Sequence, residues 1–343
     1  MLAIVYRMVA LTSRRGAQIT ALLAIACLGL AASGCGSSSP STSSKPKVSG
    51  TADVAYASSL QYLNTTVVGP AFTKATGYKF TGTSGAAGTL SSEIAASDLP
   101  GTNVFESVGA DNITPLEPKF TKWYVEYAGN HMVLAYNPNS KYAKQFEAIA
   151  SGKEPLKDLF TLLETPGLKL GRTDPNVDPQ GRYFIEMLEL AQKYYNLPSD
   201  TVTKIIGSPL NSSTSPEIYV ESSLDSVLEA GELDAASAYY TQAIELHLHY
   251  ISLPTMIDLG SSADAAYYST ATITTTNGTV HSGAPLVLDI TIIGKPTAAA
   301  VAFVKYTLSS VGIAQYKQGG FTLLTPTATG SGIPAAISSE LGS

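Results

Sequence analysis

The chain has 343 residues and a formal charge of −6, is 44% hydrophobic and 14% charged, and carries 2 Cys. That apolar share excludes a disordered chain, and two cysteines exclude a disulfide framework or a Cys-rich metal site. Three of the 21 basic residues, Arg7, Arg14 and Arg15, fall in the first 34 positions, which hold no acid; from Cys35 onward the remaining 18 face 27 acidic residues, a balance that argues against nucleic-acid binding.

The stretch Ala17 to Gly34 is uncharged, and its apolar part, Ile19 to Ala32, follows Arg14 and Arg15. It is short for a membrane span and fits the hydrophobic region of an export signal over residues 1–34. It ends in Ala31-Ala32-Ser33-Gly34-Cys35, which resembles the lipobox of bacterial lipoproteins and implies cleavage before Cys35 and lipidation of its thiol; Cys27 lies inside the cleaved part. Residues 35–51, rich in Ser and Pro, read as a flexible tether. Together these predict a soluble domain held by a lipid anchor at the outer face of the bacterial cytoplasmic membrane.

Ala52 to Tyr56 predicts a strand, and Leu60, Leu63, Val67, Val68 and Phe72 recur at helical spacing until Gly77. Asn103–Phe105, Met132–Tyr136 and Leu168–Leu170 predict further short strands, and Phe184, Met187, Leu188, Ala191 and Tyr195 a helix closed by Leu197-Pro198. Thr272 to Val280 holds Asn277-Gly278, a hairpin turn. Leu286 to Ile293 is a strongly β-forming run, and Val301, Val304 and Leu308 mark a helix begun after Pro296. This alternation indicates an α/β architecture with mainly parallel sheets.

Several of these elements meet at small or polar turns that open a helix: Tyr56-Ala57-Ser58-Ser59-Leu60, Gly82 to Leu90, and Asp178-Pro179-Gln180-Gly181-Arg182. Such turns leave backbone N–H groups at the positive end of a helix, where a small anion is held, although a Ser or Thr there can be a cap and no more. There is no Gly-Lys-Ser/Thr phosphate loop and no full GxGxxG fingerprint, which favours a small oxyanion over a nucleotide.

The segment Gly171-Arg172-Thr173-Asp174-Pro175-Asn176-Val177-Asp178-Pro179-Gln180-Gly181-Arg182-Tyr183 resembles the DPN and DPxGYR-like motif of the molybdate/tungstate-binding proteins of ABC transporters, in the branch first described in archaea. Trp123 to Leu134, Glu221 to Tyr239, His249 to Pro254, Ile257 to Gly260 and Gly319-Gly320-Phe321 are similar to other segments of that family, so the resemblance runs from about residue 52 to 327. It implies a periplasmic-binding-protein type II fold, two α/β lobes joined by a hinge with the ligand cleft between them. One lobe would be 52–128 plus 253–335 and the other 129–252. By position the resemblance places Ser58 and Ser59 on one oxyanion turn, Ala87 and Gly88 on a second, and Asp178, Pro179 and Gln180 on a third, with Glu221 and Tyr239 as further ligands. Asp178 and Glu221 would bind the Mo or W centre itself, which as a hard centre accepts oxygen ligands. No cofactor is implied, only the transported oxyanion; the partners would be an ABC permease with its ATPase, and the protein a monomer.

Two positions depart from the family pattern. Ala86-Ala87 stand where it offers Gly-Ser or Ser-Ser, so a hydroxyl is missing, and Gln180 replaces a common Cys at a position expected to contribute mainly backbone. Adjacent Tyr239 and Tyr240 keep ferric ion open as a cargo, and sulfate or phosphate would also suit the fold. His247 and His249 would share a face on a strand but lack a third metal ligand in sequence. An enzyme with Asp178 and Glu221 as an acid/base pair is the reading from another class. It is disfavoured by the absence of a Gly-x-Ser-x-Gly elbow and by the single Trp, Trp123.

Overall fold

The computed structural model describes residues 48–207 and 217–342; the expected export signal, Cys35 and most of the expected tether lie outside them. Strand β1 (Thr51–Ala57) alternates in burial at its start and is fully buried at its end, and passes directly into a helical run. That run opens as a tight turn at Ser58–Leu60, widens to a π segment at Asn64–Val68 and ends as α1 (Gly69–Thr76). Pro70 explains the widening, because its ring has no N–H and crowds the preceding turn of an ordinary helix. Gly77 at φ 81° closes the run, its N–H donating to the Thr73 carbonyl.

Then follow β2 (Lys79–Gly85), α2 (Ala87–Ala96), β3 (Val104–Val108) and β4 (Trp123–Gly129). The chain next builds a second sheet with β5 (Met132–Tyr136) and β6 (Leu170–Gly171). Helices α3 (Pro179–Tyr194) and α4 (Glu221–Glu229) precede β7 (Ala235–Tyr239), α5 (Tyr240–Glu245) and β8 (His249–Ser252). A hairpin of β9 (Thr272–Thr274) and β10 (Val280–Ser282) leads back to β11 (Val287–Ile292), α6 (Ala298–Leu308), α7 (Ser310–Gln318) and β12 (Thr322–Gly330). Gly278, in the predicted turn, takes φ 84°.

The first sheet has the order β12-β4-β11-β3-β1-β2 and the second β6-β7-β5-β8. The expectation of mainly parallel sheets is corrected. Only β1 with β2, β1 with β3, and β6 with β7 pair in parallel, while β11 runs against both β3 and β4, β12 against β4, and β5 against β7 and β8. A parallel neighbour needs a crossover within its own sheet. Strand β11 instead enters after an excursion through the second sheet, and comes in from the opposite end.

The passage between sheets, at Asn130 and His131, is pinned at both ends. Asn130 N–H donates to the Leu286 carbonyl at 3.0 Å, its Nδ2 to Thr241 Oγ1 at 2.7 Å, and Tyr240 N–H to the His131 carbonyl at 2.9 Å.

Inside the first half, Glu106 on β3 is fully buried. It accepts from Asn64 Nδ2 at 2.6 Å, Tyr316 Oη at 2.8 Å and Tyr127 Oη at 3.2 Å, so one carboxyl ties the π segment, α7 and β4 together. Burial raises its pKa, against these donors, which pull it down. Glu106→Ala strands three buried donors and is expected to lose about 3 kcal/mol or more in urea unfolding. Glu106→Gln, which keeps an acceptor, is expected to lose clearly less; equal losses would contradict the network's role.

Candidate functional site

In-register pairing of Ala57 with Gly85 ends β1 and β2 at the same level, so the turns at Ser58-Ser59 and Ala86-Ala87 lie side by side. Both sit beyond the carboxyl ends of parallel strands, where α/β folds present ligand sites. Ser59 and Ala87 are buried. Ala86, at the N-cap of α2, supplies no side-chain hydrogen bond to the helix, as the missing hydroxyl predicts.

From the other half, Asp178 caps α3, its Oδ1 accepting from Gln180 N–H at 2.9 Å. Pro179 fills the first helical position, where no N–H is needed. The preceding Val177 carbonyl accepts from Gly88 N–H at 3.0 Å, which joins the α2 turn to the α3 turn. A Cβ on Gly88 would stand 2.6 Å from that oxygen, so this approach requires glycine. The Gly88 N–H assigned to the oxyanion is therefore occupied by protein in this arrangement.

Glu221 opens α4, which packs on the Ser58–Leu60 turn. Ser58, Ser59, Glu221 and Gln242 line one cavity of about 260 Å³, together with Asp225 and Glu245. Asp178, Pro179, Gln180, Tyr239, Ala87 and Gly88 do not line it, but the first and fourth of these lie within electrostatic reach of Glu221.

A chain of amides holds the acid in place. Ser237 Oγ donates to Gln180 Oε1 at 2.9 Å, and Gln180 Nε2 to Gln242 Oε1 at 2.8 Å and to Glu221 Oε1 at 3.3 Å. Gln242 Nε2 in turn donates to Glu221 Oε1 at 2.7 Å. The expectation that Gln180 contributes mainly backbone is thus corrected, since its side-chain amide is the centre of the network.

Ser237 and Gln242 were not read from the sequence. Two signals mark them. Ser237 and Tyr239 share a face of β7 at period two, and Gln242 is the third residue of α5, from which its Oε1 accepts the Tyr239 N–H at 3.1 Å, half of a capping box.

The electrostatics are those of acids held out of water. Burial raises Asp178, and the Gln180 N–H, the Arg182 guanidinium and Thr173 pull it partly back. Burial and the neighbouring Asp178 and Asp225 charges lift Glu221 well above the usual carboxylate range, with Gln242 opposing. Burial likewise pushes Asp225 up to about 6 and Glu245 up to about 8. Tyr239 is 1% exposed, and its hydroxyl has no hydrogen-bond partner among the described residues.

Tyr240 turns elsewhere, stacked on His131 at 4.5 Å and edge-on to Tyr250 at 5.8 Å, so the two adjacent phenols do not converge. His247 precedes β8 with φ 56° and does not share a strand with His249; both are exposed. Among the described residues no group of three His, Cys, Asp or Glu could hold a metal ion by itself.

Two sheets with helix-opening turns facing each other define a type II periplasmic-binding-protein fold. The chain belongs to the bacterial extracellular solute-binding protein family, whose model matches residues 52–322. It is similar to the molybdate/tungstate-binding protein WtpA of Pyrococcus abyssi, 29% identical over 239 residues, covering 64% of this chain and 67% of that one. In fold it is similar to the periplasmic molybdate-binding protein of Azotobacter vinelandii, with a TM-score of 0.53 at 17% identity, covering 79% of this chain and 99% of that one. It is also similar to the sulfate-binding protein SubI from Mycobacterium tuberculosis, with a TM-score of 0.52 at 15% identity over 85% and 89% of the two chains. Among the described residues no helix is long and apolar enough to cross a membrane.

Gln242→Ala removes the 2.7 Å donor to Glu221 and the acceptor of Gln180. It is expected to cost about 1–3 kcal/mol in denaturant unfolding. A cost within 0.5 kcal/mol of zero, the range of changes away from such networks, would show the amide chain to be slack.

Proposed function

We propose that this solute-binding protein captures molybdate or tungstate and hands it to an ABC permease and its ATPase. The observation that carries the reading is the pair of buried acids, Asp178 and Glu221, within electrostatic reach of each other and of the unpartnered Tyr239 hydroxyl. An anion held by hydrogen bonds alone would be repelled by Glu221, Asp225 and Glu245. A Mo(VI) or W(VI) centre turns this repulsion into attraction, because it takes carboxylate oxygens as ligands and grows from four- to six-coordinate. The Tyr239 hydroxyl and the Ser58-Ser59 turn would donate to the oxo groups. The names of WtpA and of the Azotobacter vinelandii protein support the same cargo.

Ferric ion is disfavoured because Tyr240 is stacked away from Tyr239. The halves built on the two sheets would act as hinged lobes around Asn130 and His131, with the Gly88 to Val177 bond joining them when closed. Catalysis is not needed to account for the site, since Glu221 is tied to the Gln180 and Gln242 amides and stoichiometric capture suffices. The permease would read the closed form, in which both lobes are correctly oriented.

Calorimetry with molybdate, tungstate, sulfate, phosphate and Fe(III) tests the reading directly. Molybdate or tungstate is expected to bind at one site with at least tenfold preference over the others. Asp178→Asn and Glu221→Gln, which keep the cap and the amide contacts while removing the charge, should each weaken this binding by a hundredfold or more with nearly unchanged apo melting temperature; parent-like affinity in both would refute coordination.

Burial and the Asp178 and Asp225 charges lift Glu221 well above the usual carboxylate range, which favours its protonated form, and coordination requires the carboxylate, so binding should release protons and weaken as pH falls from 7 to 5. Titration in buffers of different ionisation enthalpy reads the released protons; uptake instead of release would contradict the coordinating role.

The lipid anchor on Cys35, outside the described residues, belongs to the same proposal. Cys35→Ser is expected to move the protein from the membrane fraction to the soluble fraction, and its retention in the membrane would contradict the anchor.

A further inference from the structure

A second and larger cavity, of about 520 Å³, lies between α3 and the first sheet. Helix α3 contributes Arg182, Tyr183 and Glu186, β4 contributes Glu126, and the segment after β3 contributes Asp111. Its two basic groups, Arg182 and His281, both serve Asp111, through Arg182 Nη2 at 2.9 Å and His281 Nδ1 at 3.2 Å from Asp111 Oδ2. Glu126 and Glu186 are left with no hydrogen bond or ion pair among the described residues.

Below them stands Asp289, which pairs with Glu126 across the sheet and shares a strand face with Val287, a residue of the cavity wall. It lies within electrostatic reach of Tyr183, Glu126 and Asp111, all three on that wall. Asp289 is 0% exposed, and neither carboxylate oxygen has a hydrogen-bond partner among the described residues.

Two carboxylates without partners among the described residues, Glu126 and Glu186, thus face one space, and Asp289 is buried behind its wall, within electrostatic reach of Glu126. Buried acids in this condition either hold protons or need a cation beside them. Burial, with the Asp111 and Glu189 charges adding to it and Arg182 opposing, pushes Glu186 up to about 8; burial also raises Glu126 and Asp289. The remaining wall is largely apolar, with Ala110, Ala265, Ala284 and Pro285. Such a wall suits methylene groups and does not suit the water shell of an inorganic ion, and no group of three acids or histidines among the described residues could hold a bare metal ion.

We propose that this cavity binds a small aliphatic amine in its ammonium form, with charged nitrogen against Glu126 and Glu186, the buried Asp289 adding its field from behind the wall, and methylenes against Ala110, Ala284 and Pro285. The site is separate from the Ser58 and Glu221 cleft and does not depend on which solute that cleft holds. An ammonium group supplies the donors that these carboxylates lack, and its charge replaces the protons they otherwise keep.

Putrescine is the probe. Titrated at pH 7 and low salt into the full chain with no oxyanion added, it is expected to bind saturably at one site and to raise the melting temperature. Glu186→Gln and Asp289→Asn keep side-chain shape while removing charge, and each should weaken binding at least tenfold with an unchanged circular dichroism spectrum. Ala284→Leu, which fills the apolar wall and leaves the charges alone, should weaken it as well. Absence of saturable binding to the parent, an equal response to magnesium chloride, or parent-like binding in both neutral variants would each overturn the proposal. Should a neutral variant fail to fold, Ala284→Leu decides: unchanged affinity overturns the proposal, and at least tenfold loss supports it.

Discussion

Everything at the cleft depends on keeping two carboxylates, Asp178 and Glu221, out of water and near one another. Alone this is unfavourable, because each charge loses hydration and the Asp178 charge raises Glu221 further. The fold contains the cost locally. Asp178 is placed at the cap of α3, where its carboxylate accepts from the Gln180 N–H, and Glu221 is the first residue of α4, where a negative group is stabilised by the helix end. The Gln180 and Gln242 amides then fix Glu221 by direct donation, so the acid is oriented before any solute arrives. A site of this kind is poised for a ligand that brings positive charge inside an anionic shell.

The second constraint is steric. The α2 and α3 turns meet through the Gly88 N–H and the Val177 carbonyl, and there is no room for a Cβ at the contact. The parallel register of β1 and β2 determines which residues take part, since Ala57 opposite Gly85 brings Ser58-Ser59 and Ala86-Ala87 to one edge. Backbone geometry thus places the start of α2 beside the cleft without a capping side chain. The buried Glu106 supports this edge from beneath by tying the π segment after the Ser58 turn to β3, β4 and α7.

Most elements were legible because their apolar spacing is strong. The helix that ends at Gly77, strand β5 and the hairpin about Asn277-Gly278 lie where periodicity and turn residues put them. The direction of strand pairing was not legible. β11 reads as a buried strand in either direction, and only its return from the second sheet makes it antiparallel. At the site, three helix-opening turns were visible as local sequence, whereas Ser237 and Gln242 were not. A serine in a strand and a glutamine in a helix have no distinctive pattern, and their importance comes from Gln180, 57 and 62 positions away in the chain.

By itself the sequence determined the α/β character, the family and the start of each helix-opening turn. These are local or compositional: caps, glycines and periodic apolar residues act through neighbours a few positions away. Tertiary structure alone decided that Gly88 faces Val177, that Tyr239 keeps an unpartnered hydroxyl while Tyr240 stacks on His131, and that Asp289 is enclosed beside Glu126 without a counter-charge. The reason is that burial and pairing are properties of contacts between distant segments. A carboxylate has the same sequence signature in water and in a closed cavity, but its charge costs little in the first and a great deal in the second.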